Sequence, residues 1–185
     1  NNAGTQNHLA HYFGSGSSES YYLVKGAGSL YESMDATDAR KMMMGISGGN
    51  PFLTKYVDQS TRTDYVPVIR WAEVLLNRAE ALVRGGGSID AEVVSLLNAV
   101  RTRSFPTGAY DVADFVTTQD FYDAILLERN MEFLGEGIRN MDLIRLGLTI
   151  PGKSSSSFGT VGAVDAANQS YTWPVPVSEL SYNNL

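Results

Sequence analysis

Phe121–Gly147 reads FYDAILLERNMEFLGEGIRNMDLIRLG, and the rest of the chain is organised around it. Ala124, Leu127, Met131, Leu134 and Ile138 recur at steps of three and four, the spacing that puts side chains on one side of a helix. The stretch therefore predicts one helix, a glycine break and a second, shorter helix. Glu128, Glu132 and Glu136 fall at steps of four and form an acidic row beside that apolar stripe. Such a row repels itself by roughly 0.2–0.5 kcal/mol per pair. Cations are expected to face it, with Arg129, Arg139 and Arg145 as the local candidates.

Upstream, Pro67 to Arg84 predicts a helix with proline in its first turn. Ile69, Ala72, Leu76, Ala79 and Val83 mark one face, widened by Leu75 and Leu82. Gly85, Gly86 and Gly87 end it, and Ser88 or Asp90 caps a second helix reaching about Arg103, with Val93, Leu97 and Val100 as its stripe. The short glycine link makes this an antiparallel helix hairpin. Phe105 to Val116 reads as a connector, and Thr117 with Asp120 as a capping box for the next helix. Two helix pairs in succession predict a mainly α fold of tetratricopeptide-like hairpins, each too small to bury its face alone.

The flanks differ in character. Residues 1–66 are loop-rich, with aromatics at Tyr12, Phe13, Tyr21, Tyr22 and Tyr31; a short strand is predicted at Tyr21–Val24 and a short helix at Asp35–Met44, capped by Asp35 or Thr37 and stopped at Gly45. PFLTKYVD reads as an extended piece. After the helical region (67–149), residues 150–185 read as a polar surface loop followed by an extended closing segment containing Trp173.

Composition narrows the function. The chain has 185 residues, enough for one domain with a real core, and a net charge of −6, which argues against a nucleic-acid partner. It has no apolar run near the roughly 18 residues of a membrane span and no signal-peptide pattern. Absence of cysteine excludes disulfides, thiolate metal sites and thiol nucleophiles, and two histidines, His8 and His11, do not make a buried metal centre. No metal and no cofactor is expected. Every cation between Pro67 and Thr149 is an arginine. Arginine tolerates partial burial and grips carboxylates with two parallel hydrogen bonds, so the centre reads as a helical core laced with Arg–carboxylate pairs. The scaffold set is Arg70, Glu73, Glu80, Arg101, Glu128, Glu132, Arg139 and Arg145. A glycosidase needs one of its two carboxyls protonated in an apolar pocket. Arginines this numerous hold both ionised, so the chain reads as a non-enzyme.

Four separated motifs, VPVIRWAEVLLNRAEAL, LLNAVRTRS, LLERNMEFLGEGIRNMDLIRLG and WPVPVSELSYNNL, occur in the order found in the SusD/RagB family of outer-membrane nutrient-binding lipoproteins. YESMDATDARKMMM also resembles that family's Asp-x-Asp-x-Arg segment ahead of the first helix. The resemblance implies helix pairs with a loop-rich part packed over them, a cell-surface, outer-membrane location, and non-catalytic capture of polysaccharides or oligosaccharides beside a SusC-like TonB-dependent transporter. Family members are usually longer. The chain is thus expected to be a single C-terminal domain of such a protein, without the signal peptide and lipid-bearing cysteine that would tie the parent to a membrane. The alternative implied role is a helical docking module for the transporter with no ligand site of its own.

Sugar binding needs exposed ring faces for pyranose C–H surfaces and polar groups for hydroxyls. Trp71, inside the first predicted helix, and Trp173, between extended apolar neighbours, read as packed. The candidate ligand residues are instead Tyr12, Phe13, Tyr21 and Tyr22, among Asn7, Ser15, Ser17 and Ser20, with Tyr56 and Tyr110 as weaker candidates.

Overall fold

Capping chemistry cuts the helices close to where the sequence marks them. The computed structural model describes residues 8–15, 21–155, 159–173, 176 and 179. They belong to two compact units, Asn1–Glu136 and Gly137–Leu185. In the first unit helix α3 spans Trp71–Arg84, α4 spans Ala91–Ser104 and α5 spans Thr118–Glu132; these follow the short helices α1 (Leu9–Phe13) and α2 (Leu30–Ser33). Gly86, at φ 93°, turns the chain between α3 and α4. The Asp90 carboxylate accepts the Val93 amide at 3.0 Å to start α4. At α5 the Thr117 hydroxyl accepts from the Asp120 amide and the Asp120 carboxylate accepts from the Thr117 amide, the capping box the sequence predicts. Helices α3 and α4 pack on each other and both pack on α5. The fold is mainly α, with tetratricopeptide-like helix pairing under a loop-rich region.

Helix α3 begins four residues later than Pro67. Arg70 is extended (φ −126°, ψ 155°) because its guanidinium reaches across to α5, and this pulls the preceding residues out of the helix. Val93, Leu97 and Val100 are buried as their spacing requires. In the loop-rich part, Asp35–Met44 holds a 3-10 turn at Ala39–Met43, capped by Asp38 rather than by Asp35 or Thr37. The chain then enters strand β1 (Met44–Ser47), so Gly45 is paired in a hairpin with β2 (Asn50–Leu53) instead of ending a helix. Tyr21–Val24 forms no strand; one bond, from the Leu23 amide to the Pro51 carbonyl at 2.8 Å, ties it to β2.

The acidic row is not beside the core but in it. On α5 the buried residues include Phe121, Ile125, Glu128, Met131 and Glu132, whereas Leu127 is exposed and Ala124 half-buried. The cations that meet the row come from distant segments. Arg40 Nη1 donates to Glu128, its Nε and Nη2 grip Asp38 at 2.9 and 2.7 Å, and Arg101 Nη1 donates to the other oxygen of Glu128 at 2.9 Å. Arg70 donates to Glu132 at 2.7 Å and to Glu136 at 3.1 and 2.9 Å; Arg103 also donates to Glu132, and Lys55 to Glu136. Arg129 instead donates to Asn77 at 2.6 Å, and its guanidinium and that of Arg70 lie over the Phe133 ring. Within the scaffold set, Arg70, Arg101, Glu128 and Glu132 are thus joined in one network, and Glu80 pairs with Arg84 at 2.6 Å. Two apolar clusters flank the network: Ala10, Leu53 and Tyr56 on one side, Met34, Met44 and Met131 on the other.

The second unit contains α6 (Ile138–Arg145), where Arg145 pairs with Asp142 at 2.9 Å. Arg139 Nη1 has no hydrogen-bond partner among the described residues. The expected polar loop forms a short antiparallel hairpin, β3 (Lys153–Ser155) with β4 (Gly159–Val161), closed by a bridge between Ile150 and Val164. Tyr171 is buried, its hydroxyl 2.7 Å from the Leu148 carbonyl. Most of the expected extended closing segment lies outside the described residues, and Trp173 is 96% exposed rather than packed.

Two predictions follow from the buried charges. Glu128→Ala takes one of its carboxylates from Arg40, only 4% exposed and then held by Asp38, and removes the carboxylate partner of Arg101, and is expected to cost up to about 3–5 kcal/mol in urea unfolding. The second concerns pH. Burial pushes the Glu132 carboxyl up, but hydrogen bonds and charge from Arg70 and Arg103 outweigh it and hold the group below its ordinary 4.5. Burial acts the same way on Asp38, and Arg40 outweighs it, holding that group below 3.8. Both bind protons less readily folded than unfolded, so the stability they contribute is present above about pH 4.5 and is lost as pH falls through their folded values. The thermal midpoint should drop as pH falls below 4.5, and less steeply in Glu132→Gln.

Candidate functional site

The aromatic residues of the loop-rich part gather around α1. This helix has only five residues and is held by what lies beneath it: Ala10 is 1% exposed in the cluster with Leu53 and Tyr56, and Leu9 and Phe13 pack against that cluster. At its C-terminal end Gly14 leaves no room for a side chain, since a Cβ there would sit 2.3 Å from the Gln59 amide and 2.6 Å from the Ala10 carbonyl. The Tyr21 amide donates to the Tyr12 carbonyl at 2.6 Å, which fixes the returning chain beside the helix.

This backbone placement sets a chain of rings. Tyr21 lies 5.5 Å from Tyr12 with planes 31° apart and 6.4 Å from Phe13; Phe13 in turn lies 5.8 Å from Tyr56. The rings run from buried to exposed. Tyr56, its hydroxyl on the Gly135 carbonyl at 3.2 Å, is 4% exposed and belongs to the core, so it is not part of a ligand surface. Phe13 and Tyr12 are half-buried, and Tyr21 is 61% exposed. Tyr22 is also exposed but joins no ring contact among the described residues. Of the four candidate residues, the fold brings Tyr12, Phe13 and Tyr21 into one ledge and leaves Tyr22 next to it in sequence only. Tyr110, the other weaker candidate, is half-buried under the Arg101 guanidinium and stacked on Phe115.

Polar groups flank the ledge. His8 and His11 meet Tyr12 at 6.1 and 5.2 Å between centroids. Arg62 Nη1 lies 3.1 and 3.2 Å from the two ring nitrogens of His8, which docks the Asp58–Asp64 loop on α1. Arg62 adopts φ 56°, the left-handed region that a side chain rarely enters. The Asp58 carboxylate holds this turn by accepting the amides of Thr61 and Thr63 at 2.9 and 3.1 Å together with their hydroxyls. The Thr61 and Thr63 hydroxyls, more than any other contact, keep Asp58 well below the usual carboxylate range. Sequence reading missed Arg62 and Gln59 because neither stands out until the loop folds back on α1. Of the polar neighbours it named, Ser15 is half-buried, and Asn7, Ser17 and Ser20 lie outside the described residues.

The tryptophan reading is corrected here. Trp71 is the first residue of α3, not a mid-helix residue, and is 71% exposed. Its neighbours Tyr65, Val66, Val68 and Ile69 are exposed as well, including Ile69, which the stripe placed in the core. With α3 starting only at Trp71, that segment has no helical face to turn inward.

Residues 21–184 match the SusD family. Over 132 residues the chain is 32% identical to the starch-binding protein SusD of Bacteroides thetaiotaomicron, an alignment covering 70% of this chain and 22% of that protein. It resembles a SusD superfamily protein of Bacteroides fragilis with a TM-score of 0.71 at 31% identity, covering 95% of this chain and 40% of the other. A SusD superfamily protein of Bacteroides thetaiotaomicron is similar at TM-score 0.61 and 26% identity, with 83% and 37% covered. The chain spans less than half the length of each of these proteins.

The gradient of burial along the ledge separates support from contact. Tyr21→Ala removes one exposed ring and its pairing with Tyr12, a loss of no more than about 0.5–1.5 kcal/mol. Phe13→Ala, which empties the space over Leu53 and Tyr56, is expected to cost more. Urea unfolding of the two variants beside the parent checks the order.

Proposed function

This chain belongs to the SusD family, and on that premise we propose that it captures glycans by stacking sugar rings on the Tyr12–Phe13–Tyr21 ledge and on Tyr22, without chemical turnover. The observation that carries this reading is a graded ring cluster built on a helix anchored to the core and ending in the exposed face of Tyr21, 61% exposed, with Tyr22, 44% exposed, next to it in sequence. Ring faces match the apolar side of a pyranose, and His8, Gln59 and Arg62 supply donors and acceptors for hydroxyls within the same neighbourhood. The name of the starch-binding relative points to the same ligand chemistry. Turnover has no support in the acidic row: Glu132 is held below its ordinary range by Arg70 and Arg103, so it is ionised at neutral pH and has no proton to give. In this proposal the parent protein works at the cell surface, on the outer membrane, and passes its glycan to a TonB-dependent transporter.

A second reading, docking on that transporter, is favoured by one observation. Tyr65, Val68 and Ile69 ahead of α3 and Trp71 at its start are exposed apolar residues close in sequence, and large apolar side chains in succession on a surface mark interaction sites. Val68→Ser with Ile69→Ser is expected to weaken co-purification with the transporter and leave glycan capture intact.

Native gels containing a panel of neutral polysaccharides test the first reading. One glycan is expected to retard the chain, and Tyr21→Ala with Tyr22→Ala should abolish the retardation while the thermal midpoint stays within a few degrees of the parent. Equal retardation of parent and variant would remove the ledge from the binding site.

A further inference from the structure

A cleft of about 350 Å³ opens in the first unit, sharing no lining residue with the aromatic ledge, and its lining is unusual for an acidic chain. Four cations, Arg40, Lys55, Arg70 and Arg103, line it against the single carboxylate of Glu132. The volume is at the lower end of small-molecule sites, about 300–1,000 Å³. Among the described residues the ion pairs around it join five cations (these four and Arg101) to Asp38, Glu128, Glu132 and Glu136, so positive charge is in excess here although the chain carries −6.

The cations are not equally available. Arg40 is 4% exposed and spent on Asp38 and Glu128, and Arg70 is spent on Glu132 and Glu136. Arg103 is different: it is 58% exposed and gives one N–H to Glu132, leaving four others without a protein acceptor among the described residues. Lys55, also in the lining, gives two of its three N–H groups to the Leu134 carbonyl and Glu136. Arg103 holds Glu132 by a single N–H, and the free edge of its planar guanidinium can seat a second carboxylate with two parallel hydrogen bonds. The other walls suit a sugar: Met43 and Pro67 offer apolar surface to C–H groups, and Ser104 offers a hydroxyl.

We infer that this cleft takes the carboxylate of an acidic sugar, a hexuronate unit of a glycan, with Arg103 and Lys55 as its binding residues. The charge follows from the cleft alone; that the carboxylate is carried on a sugar rests on the glycan reading above. The site is distinct from the Tyr21 ledge, so a chain that uses both would hold a polymer bearing neutral and acidic units.

Calorimetric titration of the 185-residue chain with trigalacturonate and with its trimethyl ester tests the inference, because the two differ in charge and little in shape. Trigalacturonate is expected to bind at least about tenfold more tightly than the ester, the scale of one hydrogen bond to a charged group, and less tightly as sodium chloride is raised. Arg103→Gln should level the two ligands. Arg103 also bonds Glu132, so Lys55→Met serves as a second variant at another lining cation, and thermal midpoints show that each variant is folded. Equal affinity for acid and ester, no binding of the acid, or a charge preference that survives both substitutions would overturn the inference. Retardation by a neutral polysaccharide together with no trigalacturonate binding would overturn it and leave the glycan reading standing. Trigalacturonate binding without any neutral retardation would do the reverse to the ledge.

Discussion

The carboxylate of Glu128 has no access to water, and the fold is arranged so that it needs none. An isolated buried carboxylate is costly enough that it would neutralise or unfold its surroundings; here each oxygen accepts from a different arginine, Arg40 and Arg101. Those two arginines lie on segments that have little else in common. Arg40 sits on a 3-10 turn in the loop-rich part, and Arg101 is on α4, where it also donates to the Gly108 carbonyl and lies over the rings of Phe105 and Tyr110. One charge on α5 therefore fixes both the loops ahead of α3 and the connector behind α4. A pair of this kind is weak evidence for stability in general, but it is specific: this placement of α5 brings Glu128 and Glu132 against four arginines, Arg40, Arg70, Arg101 and Arg103.

That rigidity has a functional side. A surface that binds polymers gains when its contact groups are ordered before the ligand arrives. The Tyr12–Phe13–Tyr21 ledge has no secondary structure of its own beyond five residues of α1, yet Phe13 stands on Leu53 and Tyr56, and the Tyr56 hydroxyl bonds the Gly135 carbonyl just past the end of α5. Gly135 itself is at φ 77°, with Leu53 where a Cβ would go, so the break after α5 and the base of the ledge are one packed unit. The same abundance of arginine that orders the core holds Asp38 and Glu132 below the ordinary carboxylate range, which favours gripping over proton transfer.

Local signals were legible in proportion to how local their physics is. Asp90 and the Thr117–Asp120 box start their helices through hydrogen bonds spanning three residues, and Val93, Leu97 and Val100 are buried where a 3.6-residue period puts them. Arg–carboxylate pairing could be read from composition, because arginine is the cation that survives burial. Which arginine pairs with which glutamate could not: Arg129 and Arg145 are near the acidic row in sequence, but the partners of Glu128 and Glu132 come from as far away as Arg40. The ledge was legible as a list of aromatics, and its ordering from buried Tyr56 to exposed Tyr21 was not, because ring contacts across a loop, such as Tyr12–Tyr21 and the more distant Phe13–Tyr56, leave no periodic trace.

The sequence alone determined that helices occupy the segments of α3 to α6, the caps of α4 and α5, an arginine-laced core and the family the chain resembles, since each follows from spacing, residue type or motif order. Only the tertiary structure decided which face of α5 turns inward. Glu128 and Ile125 share a helix face, and nothing in their spacing says whether that face meets water or arginine. It also decided where α3 begins and hence that Trp71 is exposed, because the segment after Pro67 obeys the long-range pull of Glu132 and Glu136 on Arg70 and not its own helical preference.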